Sequence, residues 1–211
     1  MRDRLMLRSS AVLTAVLFGI FLAVVPRPAF AQADKYSAAG ATNIIFGPFI
    51  TGTTTATLLA QDIQNSSTAD LVLQVTMECG IVIVDPFTPG SRFGAASVNV
   101  WVEIDGVRVP VTSLADGTPT DPPPVGEVIF CDRSDFRFTF EPEFDIDQIV
   151  HANAFNWVKL NVGAGKHTVK VMARLTSSTF LSTAQALVRR RTLIIEPAHM
   201  VKSQDVQPFT P

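Results

Sequence analysis

Four carboxylates at alternating positions form a dense cluster of side chains that could do chemistry: Glu141, Glu143, Asp145 and Asp147. In an extended segment all four point to one side, where like charges repel each other. A hard cation relieves that repulsion, and calcium takes most of its ligands from carboxylate and carbonyl oxygens. This stretch therefore suggests a calcium site, and no other cofactor is expected. The alternatives are an acidic rim that faces water and a carboxylate pair that hydrolyses glycosidic bonds.

The two tryptophans have polar neighbours at the positions two residues away on each predicted strand. An indole ring can stack on the C–H face of a sugar while amide and charged neighbours bind its hydroxyl groups. We therefore expect a glycan-binding surface made of Trp101, Asn99, Glu103, Trp157, Lys159 and Asn161. The alternative is that a loop or a second layer covers both rings, because tryptophan is highly buried on average.

Common catalytic signatures are absent from the sequence. It contains no nucleophile elbow, phosphate-binding glycine loop, dinucleotide fingerprint or zinc-binding His-Glu-x-x-His motif. The three histidines are far apart, and we expect His167 to have a structural role. A non-enzymatic protein is therefore favoured over a catalyst.

The first 31 residues have the pattern of a secretory signal peptide. A basic start precedes the apolar run Ala11 to Val25, and small residues around Ala31 suit cleavage there. We expect export by the general secretory route to the periplasm or the outside of the cell, with no membrane span left after cleavage. Removing this segment takes away four of 17 basic and one of 19 acidic residues, so the net charge changes from −2 to −5. That balance argues against nucleic acid as a partner, and the basic run 189–191 is expected to be a solvated strand edge.

The chain has two cysteines, Cys79 and Cys131, separated by 52 residues. In an oxidising compartment an isolated pair most often forms one disulfide. We therefore expect a bridge between them, with two buried thiols as the alternative.

Alternation of apolar and polar residues predicts strands almost throughout the chain. Leu71 to Cys79 and Val98 to Ile104 have a period of two, and Asp105-Gly106 signals a tight hairpin. A second hairpin is expected at residues 163–166, and Phe136 and Phe138 suggest a half-buried strand. A short helical segment is expected near residues 143–154.

These elements predict an all-β fold, an antiparallel sandwich of two sheets. The order Cys79, Trp101, Cys131 resembles that of immunoglobulin domains, and residues 156–175 look like the closing hairpin of exported Ig-like or jelly-roll domains. The resemblance implies a bridge between the two sheets. We expect one sandwich domain over residues 32–197 and a flexible tail over residues 198–211.

The predicted function is that of a non-enzymatic exported binding module whose partner is a glycan or an envelope or extracellular protein. One alternative is a small carbohydrate-active or other hydrolase that uses paired carboxylates. Another is a structural subunit of a surface assembly, in which an unpaired edge strand accepts a neighbour's strand.

Overall fold

The computed structural model describes residues 35–49, 51–85, 90–114, 117–139 and 145–198. These residues form ten strands and belong to one compact unit, Asp34–Pro211. The strands are β1 (Tyr36–Gly40), β2 (Ile44–Phe49), β3 (Thr51–Asn65), β4 (Ala69–Asp85), β5 (Gly90–Ile104), β6 (Val107–Arg108), β7 (Val128–Thr139), β8 (Asp145–Val162), β9 (Gly165–Phe180) and β10 (Thr183–Ala198). Within the described residues, no helix is long and apolar enough to cross a membrane.

The strands form two antiparallel sheets, which confirms the predicted sandwich. The first sheet has the order β1-β10-β4-β8, and β2 also pairs with β10. The second has the order β3-β9-β5, and both β6 and β7 pair with the free side of β5. From β2 to β5 and again from β7 to β10, each strand lies in the sheet opposite to the one before it. This winding is that of a jelly roll rather than of an immunoglobulin domain.

The core lies between the inner faces of the two sheets. The predicted alternation in β4 is confirmed, since Leu71, Leu73, Val75, Met77 and Cys79 are all buried. The valines of β5 face them from the second sheet and are fully buried. Burying one such aliphatic side chain contributes roughly 1.5–3 kcal/mol, so these rows provide much of the stability.

A disulfide joins Cys79 on β4 to Cys131 on β7, as predicted, and so links the two sheets. Their Cα atoms are 6.1 Å apart. A disulfide of this kind is compatible with an exported protein. The predicted signal peptide lies outside the described residues, as do residues 199–211 of the expected tail.

The helix expected near residues 143–154 is not present in the described part of that segment. Strand β8 begins at Asp145 and pairs with β4 from Asp85 to Ala69. Continuous pairing with a long neighbour outweighs the weak helical pattern of this segment, because strand preference depends on packing against neighbours.

The two predicted hairpins have different outcomes. Asp105 and Gly106 form the tight turn between β5 and β6, with φ values of 52° and 80°. The second prediction is wrong, because β8 belongs to the first sheet and β9 to the second. The turn at residues 163–164 therefore crosses the sandwich instead of joining two paired strands.

The basic run 189–191 is not an edge, because β10 lies between β4 on one side and β1 and β2 on the other. Arg190 is exposed, whereas Arg191 is buried. The Arg191 guanidinium donates hydrogen bonds to the carbonyl oxygens of Leu58 at 2.8 Å, Thr42 at 2.7 Å and Arg189 at 3.1 Å. Burial lowers the pKa of Arg191, and the three carbonyls offset the cost of removing its charge from water.

Candidate functional site

Four phenylalanines on the outer face of the second sheet form an exposed cluster, called here the phenylalanine patch. Phe93 on β5 stands directly opposite Phe180 on β9 and Phe136 on β7, so the three form one row across three strands. Phe138 lies beside this row, opposite Ser91. Their exposed fractions are 37% for Phe93, 61% for Phe180, 69% for Phe136 and 56% for Phe138. Large exposed apolar patches on soluble proteins mark interaction sites.

The packing of β5 explains why these rings face solvent. Gly94 points inward, and a Cβ atom there would lie 2.7 Å from Cγ2 of Ile83 on the opposite sheet. The two sheets approach so closely at this point that there is little room for a side chain at Gly94. Successive side chains of a strand point to opposite faces of the sheet, so Phe93, which precedes Gly94, points outward. The strand that Phe136 and Phe138 suggested is present as β7, but both of these phenylalanines face solvent.

Hydroxyl side chains cover the sheet face beside the patch. On β3, four exposed threonines share the outward parity: Thr51, Thr53, Thr55 and Thr57. Ser178 on β9 and Ser134 on β7 stand opposite Ala95 in the row next to Phe93, and both are exposed. The patch is therefore apolar at its centre and has an uncharged polar margin along the sheet.

Trp101 lies on the outer face of the second sheet, as its parity predicts, but it is only 4% exposed. The Arg108 guanidinium lies 4.1 Å from the centroid of the indole ring, a cation–π contact. The indole Nε1 donates to Glu103 Oε1 at 2.7 Å. This cover leaves little of the ring free to stack on a ligand.

A nearly buried carboxylate organises the same region. The Glu127 side chain is 3% exposed and accepts hydrogen bonds from Arg108, Arg174 and Asn99. The Asn99 contact measures 2.8 Å. Nearby, burial acts to raise the pKa of Asp121, but N–H donors that include Gly126 outweigh it, so its pKa lies below the usual value. These groups fix the segment that leads into β7.

Trp157 is fully buried and lies in the core. Its Nε1 donates to the carbonyl oxygen of Gly126 at 2.8 Å, and the rings of Phe130 and Phe155 pack against it. Trp157 stands opposite the buried Leu73 of β4, in a register that is continuous from Ile146 to Lys159, and this pairing turns it inward. Beyond it, two residues of β4 span three of β8 between Lys159 and Val162, and this β-bulge lets Val162 face inward as well.

The structure does not bring the two tryptophans to one surface. Lys159 is half-buried on β8, and Asn161, with φ of 56°, donates its N–H to Asp70 at the bulge. In the structure both indole rings are covered, which is the alternative that the sequence allowed. A sugar-stacking surface at these six residues therefore has no support in the geometry.

The acidic stretch lies mostly beyond what the structure describes. Glu141 and Glu143 fall outside the described residues, and the side chains of Asp145 and Asp147 are not among those described. The calcium site remains a prediction. Among the residues that the structure does describe, no group of three metal-ligating side chains comes together.

A polar cluster ties two turns together at one end of the sandwich. His167 Nδ1 lies 2.7 Å from Asp105 Oδ2, and its Nε2 lies 2.9 Å from the carbonyl oxygen of Gly163. The hydrogen bond to Asp105 raises the pKa of His167, and the same bond lowers the pKa of Asp105. A cavity of about 350 Å³ beside them is also lined by Tyr36 and Asp62. Each of these groups has an internal partner, which fits a role in joining the turns.

No protein-family model and no curated protein matches the chain. Solved structures with some likeness include infectious bursal disease virus Gx strain, with 11% identity, coverage of 81% of this chain and 37% of that chain, and a TM-score of 0.27. For the VP2 subviral particle of infectious bursal disease virus the identity is 12%, the coverage is 83% of this chain and 46% of that chain, and the TM-score is 0.19. For Desmodium yellow mottle tymovirus the identity is 9%, the coverage is 85% of this chain and 97% of that chain, and the TM-score is 0.22. The chain spans less than half the length of the two bursal disease virus chains, and with TM-scores this low the likeness does not bear on its function.

Proposed function

We propose that this chain is an exported, non-enzymatic interaction module that docks a protein partner on the phenylalanine patch. The observation that carries the proposal is the row Phe180, Phe93 and Phe136, which leaves three adjacent rings open to water. When a complementary surface covers such a row, the rings are removed from water. The free energy gained by burying apolar surface in this way is the dominant favourable term in most protein association.

The chemistry of the patch favours a protein over a glycan as the partner. Phenylalanine is enriched at protein interfaces, and it lacks the polar handle that tyrosine and tryptophan carry. Neighbouring strands lie roughly 4.8 Å apart, so the rings form one continuous apolar surface. The hydroxyl groups of Ser134 and Ser178 border that surface and can supply the polar rim of an interface. The glycan alternative depends on indole rings that are covered.

A photo-crosslinking amino acid at Ser91, which lies beside Phe138 on the outer face, tests this proposal. The matched control carries the same probe at Gln74, an exposed position on the first sheet. We expect a defined protein to crosslink at Ser91 and not at Gln74. Once purified, the crosslinked protein should bind the unmodified chain directly, as measured by calorimetry.

The substitution Phe180→Ser should weaken that binding by about tenfold or more, since truncating an aromatic side chain that an interface buries costs about 1–2 kcal/mol or more where it is a hot spot. Ile129→Ser serves as its control, because Ile129 is 62% exposed but lies far along β7 from the patch. Equal effects of the two substitutions, or crosslinking at Gln74 alone, would contradict the proposal. If the unmodified chain bound an oligosaccharide and the Phe180→Ser variant did not, the partner of the patch would be a glycan rather than a protein.

A further inference from the structure

We infer that the β9–β10 turn belongs to the docking surface, and that Leu181 on this turn enters an apolar cavity of the protein that covers the phenylalanine patch. This inference rests on the proposed function and deepens it, because it names the shape and chemistry of the partner's surface. The partner presents an apolar area to the row of rings and, beside it, a cavity about the size of one aliphatic side chain.

The first observation is the backbone conformation of Leu181. Its φ is 57°, in the left-handed region, where the Cβ atom of an ordinary residue lies too close to the following carbonyl oxygen. Among the described residues, the other non-glycine residues with positive φ are Asp105 and Asn161. Aspartate and asparagine tolerate this conformation because their short polar side chains bond locally. Leucine does not, so Leu181 strains the backbone at a position that asparagine or glycine would occupy at lower cost.

The second observation is that the fold gains little from a leucine at this position. Leu181 is 47% exposed, so about half of its apolar surface stays in contact with water. Residues held in strained backbone conformations cluster at ligand clamps and other functional sites. A leucine that is both strained and half-exposed lowers the stability of the free chain, and burial in a partner offsets that loss.

The turn holds Leu181 in a fixed place beside the patch. Leu181 directly follows Phe180, the end of the row, so their Cα atoms lie roughly 3.8 Å apart. On its other side, Ser182 is only 3% exposed, and its hydroxyl donates a hydrogen bond of 2.8 Å to the carbonyl oxygen of Phe93. Phe93 is the middle residue of the row. The turn and the row therefore form one preorganised surface, which costs less entropy to bind than a loose turn.

This arrangement favours a protein over a lipid bilayer as the occupant. The row lies on the face of the second sheet, whereas Leu181 lies on the turn that leaves this sheet for the first one. A surface that contacts both has to bend around the end of the sheet, and a folded protein can have that shape. Anionic lipids attract basic segments, but without its first 31 residues the chain has a net charge of −5.

Three substitutions of Leu181 in the full exported chain test the inference, with the protein that crosslinks at Ser91 as the partner. Leu181→Asn removes the apolar side chain and suits the positive φ. It should weaken binding by about tenfold or more, while the midpoint of urea unfolding stays at or above that of the unmodified chain. Leu181→Ala should weaken binding as much but lower the midpoint, because the strain remains. Leu181→Met, which conserves volume, should bind as tightly as the unmodified chain.

Val107→Asn is the matched control, because Val107 is 63% exposed and lies beside the turn at the opposite end of β5. It should leave binding unchanged. Unchanged binding in Leu181→Asn would overturn the inference. So would a lower urea midpoint in that variant, because the leucine would then serve the fold. Cosedimentation with vesicles of phosphatidylethanolamine and phosphatidylglycerol that Leu181→Asn reduces would also overturn it, since the occupant would be a membrane.

The outcomes separate this inference from the docking function. If Phe180→Ser weakens binding and Leu181→Asn does not, the docking function holds and the role of the turn is refuted. If Leu181→Asn weakens binding and Phe180→Ser does not, docking on the patch is refuted while the turn keeps its partner.

Discussion

Gly126 occupies a position that accepts no side chain. Its φ is +74°, and a Cβ atom would lie 2.0 Å from the carbonyl oxygen of Val109. Its N–H donates to Asp121 at 2.6 Å, and its carbonyl accepts the Trp157 indole N–H at 2.8 Å. One residue therefore connects the Asp121 carboxylate, the segment at Val109 and the aromatic core.

The substitution Gly126→Ala should lower the free energy of unfolding by about 3 kcal/mol or more, because left-handed strain adds to a clash with backbone. Gly106→Ala is the matched control. Gly106 has φ of +80° but nothing within 4 Å of its Cβ position, so it should lose only about 1–2 kcal/mol. Urea unfolding followed by tryptophan fluorescence measures both losses. Equal losses would mean that the contact with Val109 costs nothing.

Single residues also show where sequence prediction fails. The parity of Trp101 could be predicted, but its cover by Arg108 could not, because the two meet only when the β5–β6 turn closes. Trp157 faces inward because it pairs with the buried Leu73 of β4, and the alternation within β8 alone does not show that partner. For Phe136 and Phe138, alternation predicts only that they share a face. Which face is outer depends on the close approach of Gly94 to Ile83.

At the scale of elements, local pattern was sufficient for most strands, though not for the first half of β8, and insufficient for their partners. The alternation of β4 and the Asp105-Gly106 turn could be predicted because both depend on neighbours in sequence. The turn at residues 163–164 has equally strong local signals, but it joins strands of different sheets. Pairing of β9 with β3 and β5 decides that outcome, and these strands are distant in sequence.

The β5–β6 and β8–β9 turns are held together by a pair that titrates. The pKa of His167 is raised above 6.5, so its contribution to stability is complete below that value and is lost as the pH rises through the folded pKa. The pKa of Asp105 is lowered below 3.8, so its contribution is present above 3.8 and is lost as the pH falls through the folded pKa. The pair therefore contributes most between about pH 4 and 6.5.

We expect His167→Gln to lower the midpoint of thermal unfolding by roughly 1–3 °C at pH 5 and by less at pH 8.5, since partly exposed ion pairs contribute under about 1 kcal/mol. Asp105→Asn keeps a residue type that tolerates the positive φ of 52° and should give the same pH dependence. Calorimetric scans at the two pH values provide the measurement. A loss that is equal at both pH values would indicate a role in packing alone.

At the scale of the whole molecule, the bridge between Cys79 and Cys131 links sheets whose strands pair over long sequence separations. It closes a loop with a sequence separation of 52 residues, and the chain-entropy model gives such a loop about 4 kcal/mol as an upper value. The double variant Cys79→Ala, Cys131→Ala should therefore lose roughly 2–4 kcal/mol in free energy of unfolding, measured with urea. Because the cross-link acts mainly on the unfolded chain, refolding should slow while amide exchange in the folded β4 and β7 keeps its wild-type pattern. Faster local exchange confined to β7 would show instead that the bridge holds the edge strand, and the phenylalanine row with it, against the core.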